Sequence, residues 1–188
     1  MARPRSDDKR NAIMSAAIRV IATQGLSAAT ATIAKEAGVS NGSLFTYFET
    51  KADLLNHLYI ELKAETVAAA LDGLPTESDI RRQALYMWSH WLRWATSCPE
   101  KRRTLALLDL SEDITSESHQ TANYAFTEIR KLLERSRENG PMRDAPLEFM
   151  VALMNALVDA TIDFMIHDPV NADTYCLAAF DAFWRMVT

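Results

Sequence analysis

Residues 30–48 read TATIAKEAGVSNGSLFTYF, and this stretch decides the fold of the first part of the chain. Gly38 marks a tight turn between two short helical segments. Ile33 lies on the apolar side of the first segment, while Leu44 and Phe48, four residues apart, give the second segment an apolar side. The spacing predicts a helix-turn-helix, in which two short helices pack at a steep angle.

The second segment also has a well-defined outward side. If its apolar residues face inward, its small polar residues face outward, because successive helical residues rotate by about 100°. The outward residues are Gly42, Ser43 and Thr46, with Phe45 and Tyr47 at the flanks. Such a surface suits a helix laid in the major groove of DNA. The sequence therefore predicts a DNA-binding module.

Followed by ETKADLL at residues 49–55, this stretch resembles the TetR family of bacterial transcriptional regulators. The family pattern Ile-Ala-x-x-Ala-Gly-Val-Ser-x-Gly-x-Leu-aromatic-x-Tyr-Phe-x-x-Lys-x-x-Leu-Leu is matched almost throughout by residues 33–55. The resemblance covers about residues 10–60. It implies a homodimer in which each copy presents its third helix to one half of a palindromic operator in double-stranded DNA.

The resemblance also implies roles for single residues. Thr30 matches a position that meets phosphate at a helix N-terminus. Positions that approach base edges are matched by Asn41, Gly42, Ser43 and Thr46, and positions that contact the DNA backbone by Tyr47 and Lys51. Phe45 departs from the common tyrosine, which removes a hydroxyl that often reaches phosphate. A basic N-terminal segment over the backbone or minor groove would comprise Arg3, Arg5, Lys9 and Arg10.

Composition supports a folded protein with a charge asymmetry. The chain has 188 residues, of which 48% are hydrophobic and 24% charged, values ordinary for globular proteins. Its net charge is −5, yet residues 1–51 carry seven basic and four acidic residues and so have a charge of +3. We interpret the basic part as the part that meets a polyanion.

Other classes of protein are disfavoured by what the sequence lacks. Its two cysteines, Cys98 and Cys176, offer neither a disulfide framework nor a C-x-x-C pair, and its histidines have no metal spacing. No cofactor or metal is therefore expected. The longest uncharged apolar stretch, about residues 149–158, is shorter than the roughly 18 residues of a membrane span, and no apolar signal core follows the N-terminus. We expect a soluble, cytoplasmic protein.

Glycines and prolines divide the chain into about nine helices, and no segment shows the alternation of a strand. We therefore expect an all-α fold. A DNA-binding domain is predicted at residues 1–52, and a helical ligand-binding and dimerisation domain at residues 53–188. The fourth helix, at about residues 51–71, is expected to be the only continuous element that joins them. A single seventh helix is expected to end at Glu138.

The last two predicted helices are candidates for a dimer interface. The eighth, at about residues 146–166, is apolar nearly all round, which requires cover on every side. The ninth, at about residues 173–187, adds Phe180, Phe183 and Trp184. We predict that helices eight and nine of two copies form a four-helix interface.

A ligand pocket is a second use for the aromatic and methionine side chains of this domain. The candidate lining residues are Trp88, Trp91, Phe126, Met150 and Met154. For any one of them, a place in the core is the commoner alternative. His90 is either a polar group of the pocket or a partly exposed histidine. Cys98, before a basic run, is either a redox-sensitive thiol or an inert one.

These features favour a ligand-responsive repressor, released from its operator by a small, largely apolar effector. An enzyme is the main alternative, but no phosphate loop, nucleophile elbow or paired catalytic side chains appear. A helical adaptor that binds another protein is a second alternative. Salt-dependent binding to duplex DNA separates the repressor from both.

Overall fold

The computed structural model describes residues 3–188, with side chains from Asp7 onward. Ten α-helices and a short 3-10 turn, Pro169–Asn171, make up the described part, which contains no strand. The helices are α1 (Arg3–Gln24), α2 (Thr30–Glu36), α3 (Asn41–Tyr47), α4 (Lys51–Leu71), α5 (Ile80–Ser97), α6 (Pro99–Asp109), α7 (Ser116–Ala125), α8 (Thr127–Arg137), α9 (Leu147–His167) and α10 (Ala172–Val187). The all-α prediction is confirmed.

The prediction of a single seventh helix is wrong, because the structure divides that region into α7 and α8. The break falls at Phe126, whose backbone has φ −80° and ψ 2°. Neither glycine nor proline stands there, so the sequence carries no local signal for it. The helix α7 begins at Ser116, where the Thr115 hydroxyl accepts a hydrogen bond from Ser118 N at 3.2 Å.

The chain divides into two compact units. The first comprises the residues up to Ala64 together with Cys98–Tyr124, and the second comprises Glu65–Ser97 and Ala125–Thr188. The chain passes between these units three times. The expectation that α4 alone joins the two predicted domains concerns another division of the chain and stays a prediction. The predicted functional boundary between residues 52 and 53 is a division of another kind and stays a prediction.

Within the first unit, buried aliphatic side chains join α1 to the helix-turn-helix and to α4. Ile13 and Ile21 of α1 are fully buried, as are Ile33 of α2 and Leu54 of α4. The helix α6 is attached to α1 by the Thr104 hydroxyl, which donates to the carbonyl of Ile18 at 3.1 Å. Helices α1, α2, α4 and α6 thus contribute to the first compact unit.

Within the second unit, an aromatic cluster joins α5 to α10. The Trp88 ring stacks on Phe183 with 5.6 Å between centroids and meets Phe180 edge-on at 6.1 Å. Its Nε1 donates to the carbonyl of Cys176 at 3.2 Å. Before α9, the Arg137 guanidinium donates to the carbonyls of Met142 and Ala145 and so orders the connecting loop.

Among the described helices, α9 is long and apolar enough to cross a membrane by length and composition. A helix that packs in a protein interior passes the same test. One side of α9 is buried through Met150, Met154, Val158 and Ile162, while Phe149 and Phe164 remain exposed. The helix therefore has a core side and an uncovered apolar side.

Candidate nucleic-acid interface

The turn between α2 and α3 is built by local backbone geometry. Gly38 has φ +71°, a left-handed conformation that L side chains rarely adopt, and it ends α2. Val39 N then donates to the carbonyl of Ala34 at 3.0 Å. Ser40 caps α3, because its hydroxyl accepts from Ser43 N at 3.1 Å. The second helix is thereby held in a defined orientation on the first.

The side chains that anchor α3 are those that the spacing predicted. Leu44 is 0% exposed and Phe48 is 1% exposed. The opposite side of α3 is accessible through Asn41, Gly42 and Thr46, which are exposed, while Ser43 is half-buried. Phe45 is 40% exposed. Thr30, at the start of α2, and Tyr47, at the end of α3, are half-buried.

The start of α4 is fixed by a reciprocal pair of hydrogen bonds. Asp53 N donates to the Thr50 hydroxyl, and Glu49 N donates to the Asp53 carboxylate, both at 3.0 Å. Thr50 and Asp53 thus form a capping pair at the start of this helix. It orders the backbone around Lys51, whose side chain is half-buried.

The proposed basic N-terminal segment is only partly described. The side chains of Arg3 and Arg5 lie outside the described residues, and Lys9 is exposed. Arg10 pairs instead with Glu61 of α4 at 2.6 Å. Its guanidinium also lies over the Phe48 ring, 5.5 Å from the centroid. Arg10 thus links α1 to α4 in this structure, and its contact with DNA stays a prediction.

Two ion pairs that the sequence did not predict support the interface. Arg10 and Glu61 join α1 to α4, and Arg19 and Glu36 join α1 to α2 at 2.8 Å. Each pair spans many residues of chain, so helical periodicity carries no signal for it. The second pair holds α2 of the helix-turn-helix on α1, and the first holds α4 on α1.

The predicted pocket residues all lie in the second unit but differ in burial. Trp88, Met150 and Met154 are buried, whereas Trp91 and Phe126 are half-buried. Trp88 is fixed in the aromatic cluster by its contacts with α10. His90 stacks on Tyr86 with 3.8 Å between centroids, and its Nδ1 lies 2.9 Å from the carbonyl of Tyr86.

The two cysteines occupy different environments. Burial raises the pKa of the Cys176 thiol, whose Sγ lies 3.7 Å from the Ser89 hydroxyl. Cys98 is half-buried and directly precedes α6. Among the described residues, no group of three or more His, Cys, Asp or Glu side chains is placed to hold a metal ion.

Comparisons with known proteins agree with this architecture. The family model of bacterial regulatory proteins of the tetR family matches residues 13–58. A tetR family transcription regulator from Shewanella sp. PV-4 is 27% identical, with 94% of this chain and 96% of that chain covered and a TM-score of 0.84. One from Marinobacter aquaeolei VT8 is 24% identical, with 98% of both chains covered and a TM-score of 0.88.

A third structure of the same fold is that of the TetR-like transcriptional regulator LfrR from Mycobacterium smegmatis in complex with proflavine. It is 19% identical, with 96% of this chain and 98% of that chain covered and a TM-score of 0.70.

An all-helical chain with an N-terminal helix-turn-helix is typical of DNA-binding regulators. At residues 13–58 the chain carries the motif of the tetR family of bacterial regulatory proteins, and its fold is that of solved TetR-family transcription regulators. The family model and these solved structures are those of transcriptional regulators rather than of enzymes.

Proposed function

We propose that the protein is a repressor that binds a palindromic operator as a homodimer and is released by a small, largely apolar effector. The observation that carries this proposal is the accessible side of α3, opposite the buried Leu44 and Phe48. Its place of action would be the cytoplasm, where the operator lies. In this proposal residues 1–52 bind DNA, and residues 53–188 bind the ligand and dimerise.

The proposed DNA contacts divide into two groups. Base edges in the major groove would be met by Asn41, Gly42, Ser43 and Thr46 of α3, with Phe45 at the flank of its accessible side. The sugar-phosphate backbone would be met by Thr30, Tyr47 and Lys51, which flank it. Contacts of the second kind provide affinity and register, and contacts of the first kind provide sequence preference.

The proposed dimer uses α9 and α10, the eighth and ninth helices of the sequence prediction. On α9, Phe149 is 54% exposed and Phe164 is 61% exposed, and on α10 Leu177 is 50% exposed. Between the two phenylalanines, Ala152, Ala156 and Ala160 are exposed at a spacing of four residues. Small side chains flanked by rings permit close helix packing, and a second copy supplies the cover that this apolar side needs.

The proposed effector site involves Trp88, Trp91, Phe126, Met150 and Met154. Because Trp88 is packed against Phe183 and Phe180, an effector would contact the half-buried Trp91 and Phe126 more directly. The complex of LfrR with proflavine supports a small molecule as the effector, since the two chains share a fold.

Binding to duplex DNA at several salt concentrations tests the first part of the proposal. We expect the full-length protein to retain a subset of genomic fragments, with an affinity that falls steeply as salt rises. Equal retention of all fragments at every salt concentration would contradict sequence-specific regulation. The retained fragments should contain an inverted repeat if the protein binds as a dimer.

The effector is tested by comparing tryptophan fluorescence with operator affinity. Compounds that change the fluorescence and do not themselves bind the duplex should weaken operator binding by roughly 5- to 150-fold, which corresponds to a coupling of about 1–3 kcal/mol. Unchanged operator affinity for several such compounds would contradict release by an effector in this region.

A further inference from the structure

The accessible side of α3 offers a narrow set of chemical groups. The helix Asn41–Tyr47 contains no charged residue. The groups exposed on it are the amide of Asn41, the backbone at Gly42, the ring of Phe45 and the side chain of Thr46. Arginine and lysine are the usual partners of guanine, and acidic side chains accept from cytosine. The helix therefore carries none of the charged groups that read a G·C pair.

Thr46 uses its hydroxyl hydrogen inside the helix. The Thr46 Oγ1 donates to the carbonyl of Gly42 at 3.2 Å. The donor is thus already occupied when the helix meets DNA, whereas the methyl group of this exposed side chain takes no part in that bond. A threonine methyl makes apolar contact with the 5-methyl group of thymine. Phe45, which is 40% exposed, offers a second apolar group beside it.

Unlike the Thr46 hydroxyl, the side chain of Asn41 is not used within the helix. Its side-chain amide makes no hydrogen bond with any described residue, so its donor and its acceptor are both available. An asparagine amide pairs with N6 and N7 of adenine through two hydrogen bonds. Ser43 does not alter this preference, because a serine hydroxyl can pair with several bases.

We propose that α3 reads adenine and thymine, so that the base pairs beneath it in each half-site are A·T pairs. Asn41 reads adenine through its amide, and Thr46 and Phe45 read thymine through apolar contact. The inference rests on the proposed function, since it concerns the same interface, and it specifies the class of operator sequence.

Selection from random duplex DNA by the full-length protein is the first experiment. We expect A·T pairs at the positions that α3 covers. The variant Asn41→Ala locates these positions, because its selected motif should lose one adenine in each half-site and keep the rest. A required G·C pair at the position that Asn41→Ala relaxes would overturn the proposal.

Replacement of thymine by uracil in the selected operator is the second experiment, since it removes only the 5-methyl group. Loss of one buried methyl contact should weaken binding about 3- to 5-fold at the position facing Thr46. The variant Thr46→Val keeps methyl groups without the hydroxyl and should retain the preference for thymine. The variant Thr46→Ser keeps the hydroxyl without the methyl and should lose it at that position.

Equal affinity of the wild type for thymine and uracil at every α3 position would overturn the apolar reading. The same holds if Thr46→Ser keeps the full preference while Thr46→Val loses it. These failures differ from failure of the proposed function, in which the wild type selects no sequence at all.

Discussion

The side-chain amide of Asn56 on α4 clamps the loop that leads to Thr115 at the start of α7. Its Oδ1 accepts from Thr115 N at 2.9 Å, and its Nδ2 donates to the carbonyl of Asp113 at 2.8 Å. One helical turn further along α4, the Tyr59 hydroxyl lies 3.0 Å from His119 Nδ1. Residues of α4 thus hold the segment between α6 and α7 in the same compact unit as the helix-turn-helix.

The Tyr59 side chain, which makes the contact with His119, is buried. Burial raises the pKa of the Tyr59 hydroxyl well above its ordinary value, and the nearby Asp109 carboxylate raises it further. Lys63 balances that carboxylate with an ion pair of 2.7 Å. The contacts that α4 makes with residues 109–119 therefore comprise neutral hydrogen bonds and one ion pair.

Substitution of Asn56 by alanine should destabilise the first unit. The change removes three hydrogen bonds, including one to the carbonyl of Ala52 at 2.7 Å, which predicts a loss of about 1–3 kcal/mol in the free energy of unfolding. Hydrogen exchange at the Thr115 amide should accelerate at the same time. The control Asn123→Ala, at an exposed site on α7, should change stability by less than about 0.5 kcal/mol. Equal effects of both variants would show that the hydrogen bonds of Asn56 do not contribute to the free energy of unfolding.

Substitution of Lys51 by alanine should weaken binding to all DNA sequences alike. If Lys51 neutralises one phosphate, the slope of log affinity against log salt should decrease by about one. A salt titration of operator and random duplex measures this slope. The exposed Lys131 on α8 is the matched control, and Lys131→Ala should leave the slope unchanged. An unaltered slope for Lys51→Ala would remove Lys51 from the DNA contacts.

Substitution of Gly42 by alanine should separate stability from DNA binding. Gly42 lies within α3 and has open space where a Cβ would stand, so alanine should stabilise the helix by about 0.5–1 kcal/mol. The added methyl group would stand on the side that we propose meets the bases, and operator affinity should fall several-fold.

Gly38→Ala is the contrasting variant for this prediction. Its space is equally open, but its φ of +71° should make alanine destabilising by about 1–2 kcal/mol. Thermal unfolding and operator titration of both variants test the pair. Tighter operator binding by Gly42→Ala would contradict the close approach of α3 to DNA.

Substitution of Ala156 by glutamate should convert the proposed dimer into monomers. Ala156 is exposed on α9, so the monomer tolerates the change, whereas a dimer interface would bury an unpaired carboxylate. Sedimentation velocity measures the outcome. The control Ala106→Glu, at an exposed site on α6, should keep the assembly of the wild type. A dimer that persists in Ala156→Glu at low protein concentration would rule out this side of α9.

Substitution of Asn171 by alanine should raise the pKa of Asp168. Hydrogen bonds from Asn171 Nδ2 and from the Tyr175 hydroxyl, both 2.8 Å, hold this pKa below its ordinary value, with Asn171 the larger cause. Because the folded pKa is depressed, the stabilisation is complete above the unfolded value of about 3.9 and is lost as pH falls through the folded value.

The measurement for this prediction is an NMR titration of the Asp168 carboxylate. The variant should titrate closer to pH 3.9, and Tyr175→Phe should move it by a smaller amount in the same direction. An unchanged titration in Asn171→Ala would show that the hydrogen bond does not form in solution.

The sequence by itself determined the helix-turn-helix, because its signals are local. Gly38 ends α2 by adopting a positive φ, Ser40 caps α3, and the spacing of Leu44 and Phe48 selects the buried side. Each signal acts within about four residues, which is the range over which helical backbone and side-chain contacts form.

Tertiary structure alone decided the partners of residues far apart in the chain. The sequence carried no signal for the ion pair of Arg10 with Glu61, nor for the hydrogen bonds of Asn56 to residues 113 and 115. Trp88 was a pocket candidate for which a place in the core was the commoner alternative, and its buried ring stacks on Phe183. Helical periodicity specifies which side of a helix is apolar, whereas the surface that covers it depends on the packing of the whole chain.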